Sequence, residues 1–262
     1  MIEVCSLNTN YLDCGSGEVV LFLHGWGSDI SDFQGSFNHF KNNYRTINLD
    51  LWGFGKSEEP HSVWGTKEYA NAVYEFVKNL GLKNIHLVGH SFGGKVAILY
   101  TYFHSENLKS LTLVDSAGIK PKLTCGTKLK IKRYKKLKSL VESGKKELSC
   151  LEKFGSTDFK QSCGIMQKIL TRVVNEDIEK ESKEIKVKTQ IIWGKKDKDT
   201  PLYMAKQLHK NIQGSNLYVL NGGHFSHIDS FVQFNGILEK FWRSLWLIFL
   251  ILVQDISTLQ LY

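Results

Sequence analysis

Gly89-His90-Ser91-Phe92-Gly93-Gly94 places a serine among three glycines. It matches Gly-x-Ser-x-Gly, follows the apolar run Asn84–Val88 and leads into the helix-patterned segment Lys95–Phe103. Strand, sharp turn and helix in that order are the context of a nucleophile elbow. The reason for the glycines is steric. A nucleophile on a strained turn tolerates no side chains two positions to either side, where they would strike the adjoining strand and helix. Such a turn presents Ser91 Oγ at the carboxyl end of a sheet.

Working outward, short apolar runs alternate with longer stretches of helical period. Glu18–Leu23, Tyr44–Leu49, Leu108–Val114, Val187–Trp193 and Asn216–Leu220 read as further strands. Thr66–Leu80 carries Tyr69, Ala72, Val73, Phe76, Val77 and Leu80 on one helical stripe, ended by Gly81. The alternation predicts an α/β fold, a mostly parallel central sheet flanked by helices. Between Ala117 and about Lys186 it stops. That lysine-rich, helix-patterned stretch reads as a cap inserted after the sixth strand, over one end of the sheet. The organisation expected is a core of residues 1–117 and 187–243, a helical cap of 118–186 and an apolar extension of 244–262.

A serine hydroxyl needs a base to become a nucleophile. Where this elbow occurs, the partners follow in the chain order Ser, Asp, His. His224, in Asn221-Gly222-Gly223-His224-Phe225, lies just after the last strand, where glycines let the loop return over the sheet. His227 is its competitor; His90 points away from the nucleophile on an elbow, and His24 reads as a support behind the site. For the acid that orients the imidazole, Asp197 stands just past a strand in Trp193-Gly194-Lys195-Lys196-Asp197. Asp115 is the rival, and Asp199 reads as a turn or capping residue before Pro201. The backbone N–H groups of Phe92 and Trp26, the latter in His24-Gly25-Trp26-Gly27, are the expected oxyanion donors.

These motifs, with Asp50-Leu51-Trp52-Gly53-Phe54-Gly55-Lys56-Ser57, resemble an α/β-hydrolase of the esterase, C–C hydrolase and proline iminopeptidase-like branch. The resemblance runs from about Ile2 to Trp242. It implies a helical cap over the site and no metal or organic cofactor. Branches that cleave C–halogen bonds or epoxides carry aspartate where this chain has Ser91, which disfavours those chemistries. The leading reading is hydrolysis of a carboxylic ester or related acyl bond of a small molecule through an acyl-enzyme. The same three residues would also serve thioester, prolyl-peptide or C–C bond cleavage, or acyl transfer. A ligand receptor without turnover is the alternative from another class. The lysine-rich cap and the tail after Arg243 are departures that the resemblance does not explain.

Composition limits the remaining classes. At 262 residues and 42% hydrophobic content the chain buries a real core. The net charge of +8 is mostly lysine, much of it between Lys120 and Lys153. Aromatics are not interleaved with that charge as a nucleic-acid stacking surface requires, so it reads as a solvated face and no nucleic-acid partner is expected. Five cysteines without a CxxC pair, behind an N-terminus with no basic and apolar leader, read as reduced thiols in a cytoplasmic protein. Leu245–Val253 is a nine-residue apolar run, short of the roughly 20 residues a spanning helix needs. Self-packing, homodimerisation or a sticky extension are its expected fates.

Overall fold

A computed structural model of the chain describes residues 1–121, 125–147 and 155–259, with side chains described except at 125, 127, 128, 142 and 246–259. In chain order the elements are β1 (Ile2–Val4), β2 (Leu7–Thr9), β3 (Tyr11–Cys14), β4 (Val19–Leu23), α1 (Gln34–Phe40), β5 (Arg45–Leu49), α2 (Thr66–Asn79), β6 (Ile85–His90) and α3 (Ser91–Phe103). Then come β7 (Leu108–Val114), α4 (Cys125–Glu142), α5 (Thr157–Gln161), α6 (Gly164–Asn175), α7 (Glu179–Lys183), β8 (Thr189–Gly194), α8 (Leu202–Asn211), β9 (Asn216–Leu220), α9 (Ser226–Asp229) and α10 (Phe231–Leu259).

Seven strands form one sheet in the order β3-β5-β4-β6-β7-β8-β9; β3 is antiparallel to β5 and every other pair is parallel. β1 and β2 make a separate hairpin, turned by Cys5 and Ser6 at positive φ. Strand alternation sorts the core into two layers. Val19, Leu21 and Leu23 of β4 join one apolar cluster with Tyr69, Val73 and Phe76 of α2 and Val96 and Tyr100 of α3. Val20 and Phe22 face the other way, onto Phe40 of α1 and Phe234, Leu238 and Trp242 of α10. Both faces are therefore covered by helices, as near-continuous apolar strands demand.

Of the stripe expected on α2, Tyr69, Ala72, Val73, Phe76 and Val77 are buried, joined by Thr66 and Ala70, whereas Leu80 is the half-buried residue just past the helix. The insertion begins after β7, which is seventh in chain order and fifth of the main sheet. Neither count is six: of the strands before the insertion only β4 to β7 leave an apolar run in the sequence, because β1, β2 and β3 are three or four residues long. The described part of the insertion is helical, α4 to α7. Its helix α6 buries Met166, Ile169, Leu170 and Val173 against the first cluster. No described residue of α4 is buried, and Lys130, Lys132, Lys135 and Lys136 stand exposed. α10 runs straight through the apolar run as helix; Leu245 packs on the second cluster, and the side chains beyond it lie outside the described residues. Among the described residues no helix is long and apolar enough to cross a membrane.

Candidate active site

Ser91 is the first residue of α3 and has φ +49°, a left-handed conformation that side chains rarely adopt. Its neighbours make this bend feasible. A Cβ on Gly89 would lie 2.5 Å from Gly93 O, and one on Gly93 or Gly94 would collide with Leu23 O or Ser116 Oγ. Close contact thus requires glycine at each position: Gly89 against the first turn of α3, Gly93 against β4 and Gly94 against the chain after β7.

Parallel strands place their following loops at one sheet edge, and there the structure brings together three residues singled out in the sequence. His224 Nε2 lies 2.9 Å from Ser91 Oγ, and His224 Nδ1 lies 2.9 Å from Asp197 Oδ2. Burial alone would lower the His224 pKa, but the hydrogen bond and charge of Asp197 raise it above the ordinary histidine value. Burial works against ionisation of Asp197, and the bonds from His224 and Thr200 hold its pKa below the usual value.

The rivals are occupied elsewhere. Asp115 is buried and accepts from Gly194 N–H at 2.7 Å, Ser226 N–H at 3.1 Å and Ser226 Oγ–H at 2.5 Å. Burial pushes its carboxyl up to about 6. It ties the exit of β7 to β8 and α9. The Asp199 side chain is exposed, and its backbone N–H donates to Asp197 Oδ1 at 2.8 Å. His227 is buried against Asp32, with Nε2 3.1 Å from Asp32 Oδ1. His24 donates from Nδ1 to Gly25 O at 2.7 Å and accepts Leu51 N–H at 2.9 Å, bracing the loop that holds Trp26. That loop turns at Gly27, φ +71°, closed by Ser28 N–H to Gly25 O at 3.3 Å. Phe92 is the second residue of α3, where backbone N–H groups have no partner within the helix. The rings of Trp26 and Phe92 meet edge to face at 5.4 Å.

Three participants were not anticipated. Thr200 donates to Asp197 from its N–H at 2.9 Å and its Oγ1–H at 2.6 Å. The signal was present, because Asp197-Lys198-Asp199-Thr200-Pro201 has the composition of an Asx turn. Lys95, one helical turn after Ser91, is buried and donates to Val173 O at 2.5 Å and Glu176 O at 2.8 Å, so it grips the end of α6. Burial brings its ammonium down to about 8. Asp32 bonds His90 and His227 with nothing local in the sequence to announce it.

Ser91 and His224 open onto a cavity of about 800 Å³ walled by Trp26, Ile119, Leu170, Val173, Met204 and Phe225. Helix α6 supplies one wall, and Asp158 of α5 also reaches the cavity. Two groups of side chains have metal-ligand composition, Asp32/His90/His227 and Asp197/Asp199/His224. In the first, Asp32 is hydrogen-bonded to both imidazoles, and in the second, Asp197 is hydrogen-bonded to His224.

Residues 18–136 match the alpha/beta hydrolase fold family, in keeping with the mostly parallel seven-stranded sheet. The chain is an enzyme, a hydrolase of the α/β fold. It is 28% identical to AB hydrolase superfamily protein YisY of Bacillus subtilis (strain 168), over 88% of this chain and 94% of that one. Lipase 1 of Psychrobacter immobilis is 28% identical over 86% of this chain and 78% of its own. Among solved structures, the esterase EaEST from Exiguobacterium antarcticum superposes with a TM-score of 0.73 at 26% identity, covering 92% of this chain and 97% of that one.

Proposed function

We propose that the protein hydrolyses carboxylic esters of small molecules through an acyl-enzyme on Ser91. The observation that carries this reading is the hydrogen-bonded line Ser91–His224–Asp197, both links 2.9 Å, at the base of a largely apolar cavity. His224 Nε2 takes the Ser91 proton as Oγ attacks the ester carbonyl carbon. Asp197 accepts Nδ1–H, fixes the tautomer and stabilises the imidazolium that forms. The N–H groups of Phe92 and Trp26 receive the tetrahedral oxyanion. Collapse breaks the ester C–O bond, and the imidazolium gives its proton to the departing alkoxide. Water, deprotonated by His224, then attacks the acyl-enzyme and releases the acid.

Residues 118–186 act in this reading as a cap that shapes the acyl pocket. The apolar wall favours a hydrocarbon acyl group over a polar one, and the likeness to an esterase and a lipase agrees with ester chemistry. Three exposed free thiols, Cys5, Cys14 and Cys163, suit a reducing, cytoplasmic setting. A panel of p-nitrophenyl esters of graded chain length, run beside a prolyl-amide substrate, tests the proposal. Ester turnover should dominate, with an optimum in chain length. A protein whose serine reacts with a fluorophosphonate, yet which turns over the amide and no ester, would refute it.

A further inference from the structure

His90 immediately precedes Ser91, yet both of its ring nitrogens are committed elsewhere. Nε2 lies 2.8 Å from the backbone carbonyl oxygen of His224, and Nδ1 lies 3.0 Å from Asp32 Oδ2. The second oxygen of Asp32 is 3.1 Å from His227 Nε2, and Gly25 N–H approaches Oδ2 at 3.4 Å. The side chains of Asp32 and His90 are each only 1% exposed. A carbonyl oxygen can only accept, so His90 Nε2 donates to it. Burial alone would raise the Asp32 carboxyl; the bonds from His227 and His90 instead hold it far below the usual range, as a carboxylate. His90 therefore bridges the Asp32 carboxylate on one side and the main chain of His224 on the other.

A buried Asp–His pair is a weak source of stability and is better understood through the geometry it enforces. Here the carbonyl it holds belongs to the residue read as general base. That residue follows Gly222 and Gly223, which restrict the main chain least of all residues. His90 is the last residue of β6, so the bond joins the elbow to the histidine loop without using the Ser91–His224 contact itself.

We propose that Asp32, His90 and His227 form a buried positioning relay, in which His90, clamped by Asp32, holds the main chain of His224 at the distance from Ser91 that proton transfer needs. The proposal rests on the reading of His224 as base. The three residues could in composition ligate a cation, but Nε2 of His90 is taken by a carbonyl and a backbone N–H faces Asp32 Oδ2. That is the construction of a hydrogen-bonded pair.

Paired variants isolate the bond to His224. In Asp32→Asn the amide can donate to His90 Nδ1 and leave Nε2–H on the carbonyl. Asp32→Asn/His90→Leu removes that donor without stranding a buried carboxylate, and Asp32→Asn/His90→Gln puts an amide donor back. With an ester substrate, the Leu double variant should fall at least about tenfold below Asp32→Asn in kcat with KM changed less than about threefold, because small misplacement of a catalytic group is costly. The Gln double variant should recover most of the loss. A folded Leu variant equal to Asp32→Asn, or a Gln variant no better than Leu, overturns the relay. Independently of whether the Leu variant folds, isotope-labelled histidine spectra of the wild-type protein should show a proton on His90 Nε2 and a coupling from Nε2 across the hydrogen bond to the His224 carbonyl carbon. An Nε2 without that coupling also overturns it. His224→Ala, measured alongside, separates the two ideas. If it is inactive while the Leu double variant is unimpaired, only the relay fails; if it is active, the base assignment fails.

Discussion

Asp197 and Asp115 are both buried aspartates at the sheet edge, and their surroundings give them different tasks. Asp197 faces an imidazole nitrogen at 2.9 Å; Asp115 is used up by two backbone N–H groups and a hydroxyl. Asp197→Asn should reduce kcat by on the order of 10³–10⁴-fold with little change in melting temperature, since the amide favours the wrong tautomer. Asp115→Asn should do the opposite, costing about 1–3 kcal/mol of stability by leaving a buried donor poorly satisfied, with a much smaller effect on kcat. Steady-state kinetics and thermal melts on both variants check this, and the reverse ranking would move the acid to the end of β7. The titration of His224 gives a second test. The imidazole must be neutral to act as base, and its pKa is raised, so kcat/KM should climb with pH through a midpoint above the ordinary histidine value. Asp197→Asn removes the raising partner and should shift that midpoint to lower pH; a limb that stays in place would mean another group is titrating. At this scale the sequence was legible wherever a role has a fixed place in chain order. Ser91, His224 and Asp197 could be proposed for that reason. Asp32 could not, because its partners lie 58 and 195 residues away and only the folded sheet joins them.

At the scale of elements, glycine positions separate turns that need glycine from helices that merely contain it. A Cβ at Gly93 would collide with the carbonyl oxygen of Leu23, whereas one at Gly236 in α10 meets nothing within 4 Å. Gly93→Ala should therefore distort the elbow, lowering both melting temperature and activity. Gly236→Ala should stabilise by about 0.5–1 kcal/mol through its helix preference, with activity unchanged. Melting curves of the two variants would contradict this if both moved in the same direction. Elements with a long apolar period, such as α2 and β4, were readable because burial on one or both faces writes itself into the sequence. β1 to β3 were not: strands of three or four residues at an edge bury too little to leave a pattern. The docking of α6 was equally hidden. It depends on Lys95 reaching two carbonyls, and on Arg172 reaching Glu68 at 3.0 Å and Val63 O at 2.7 Å, none of them near in sequence.

Across the whole molecule, Ser91 and Trp242 of the C-terminal helix lie at opposite ends of the sheet. Trp242 packs on Phe40, Tyr44 and His86, at the start of β5 and β6, whereas Ser91 follows the end of β6. A chain ending at Leu245, the last residue seen packing on the core, should keep its kcat per folded molecule. The apolar run beyond it should act on self-association instead, so size-exclusion elution should change on truncation. Loss of kcat in a soluble truncated monomer would tie the tail to the site. Acylation of Ser91 underlies every other role proposed for the site. Its most direct test is intact-protein mass spectrometry after rapid mixing with a slowly deacylating p-nitrophenyl ester, for wild type and Ser91→Ala in parallel. The wild-type protein should gain the mass of one acyl group, mapped to Ser91, and the variant should show no adduct and a kcat lower by at least about 10³-fold. An adduct on another residue, or a Ser91→Ala protein that keeps more than about a tenth of the rate, a loss below ~1.4 kcal/mol, would contradict it.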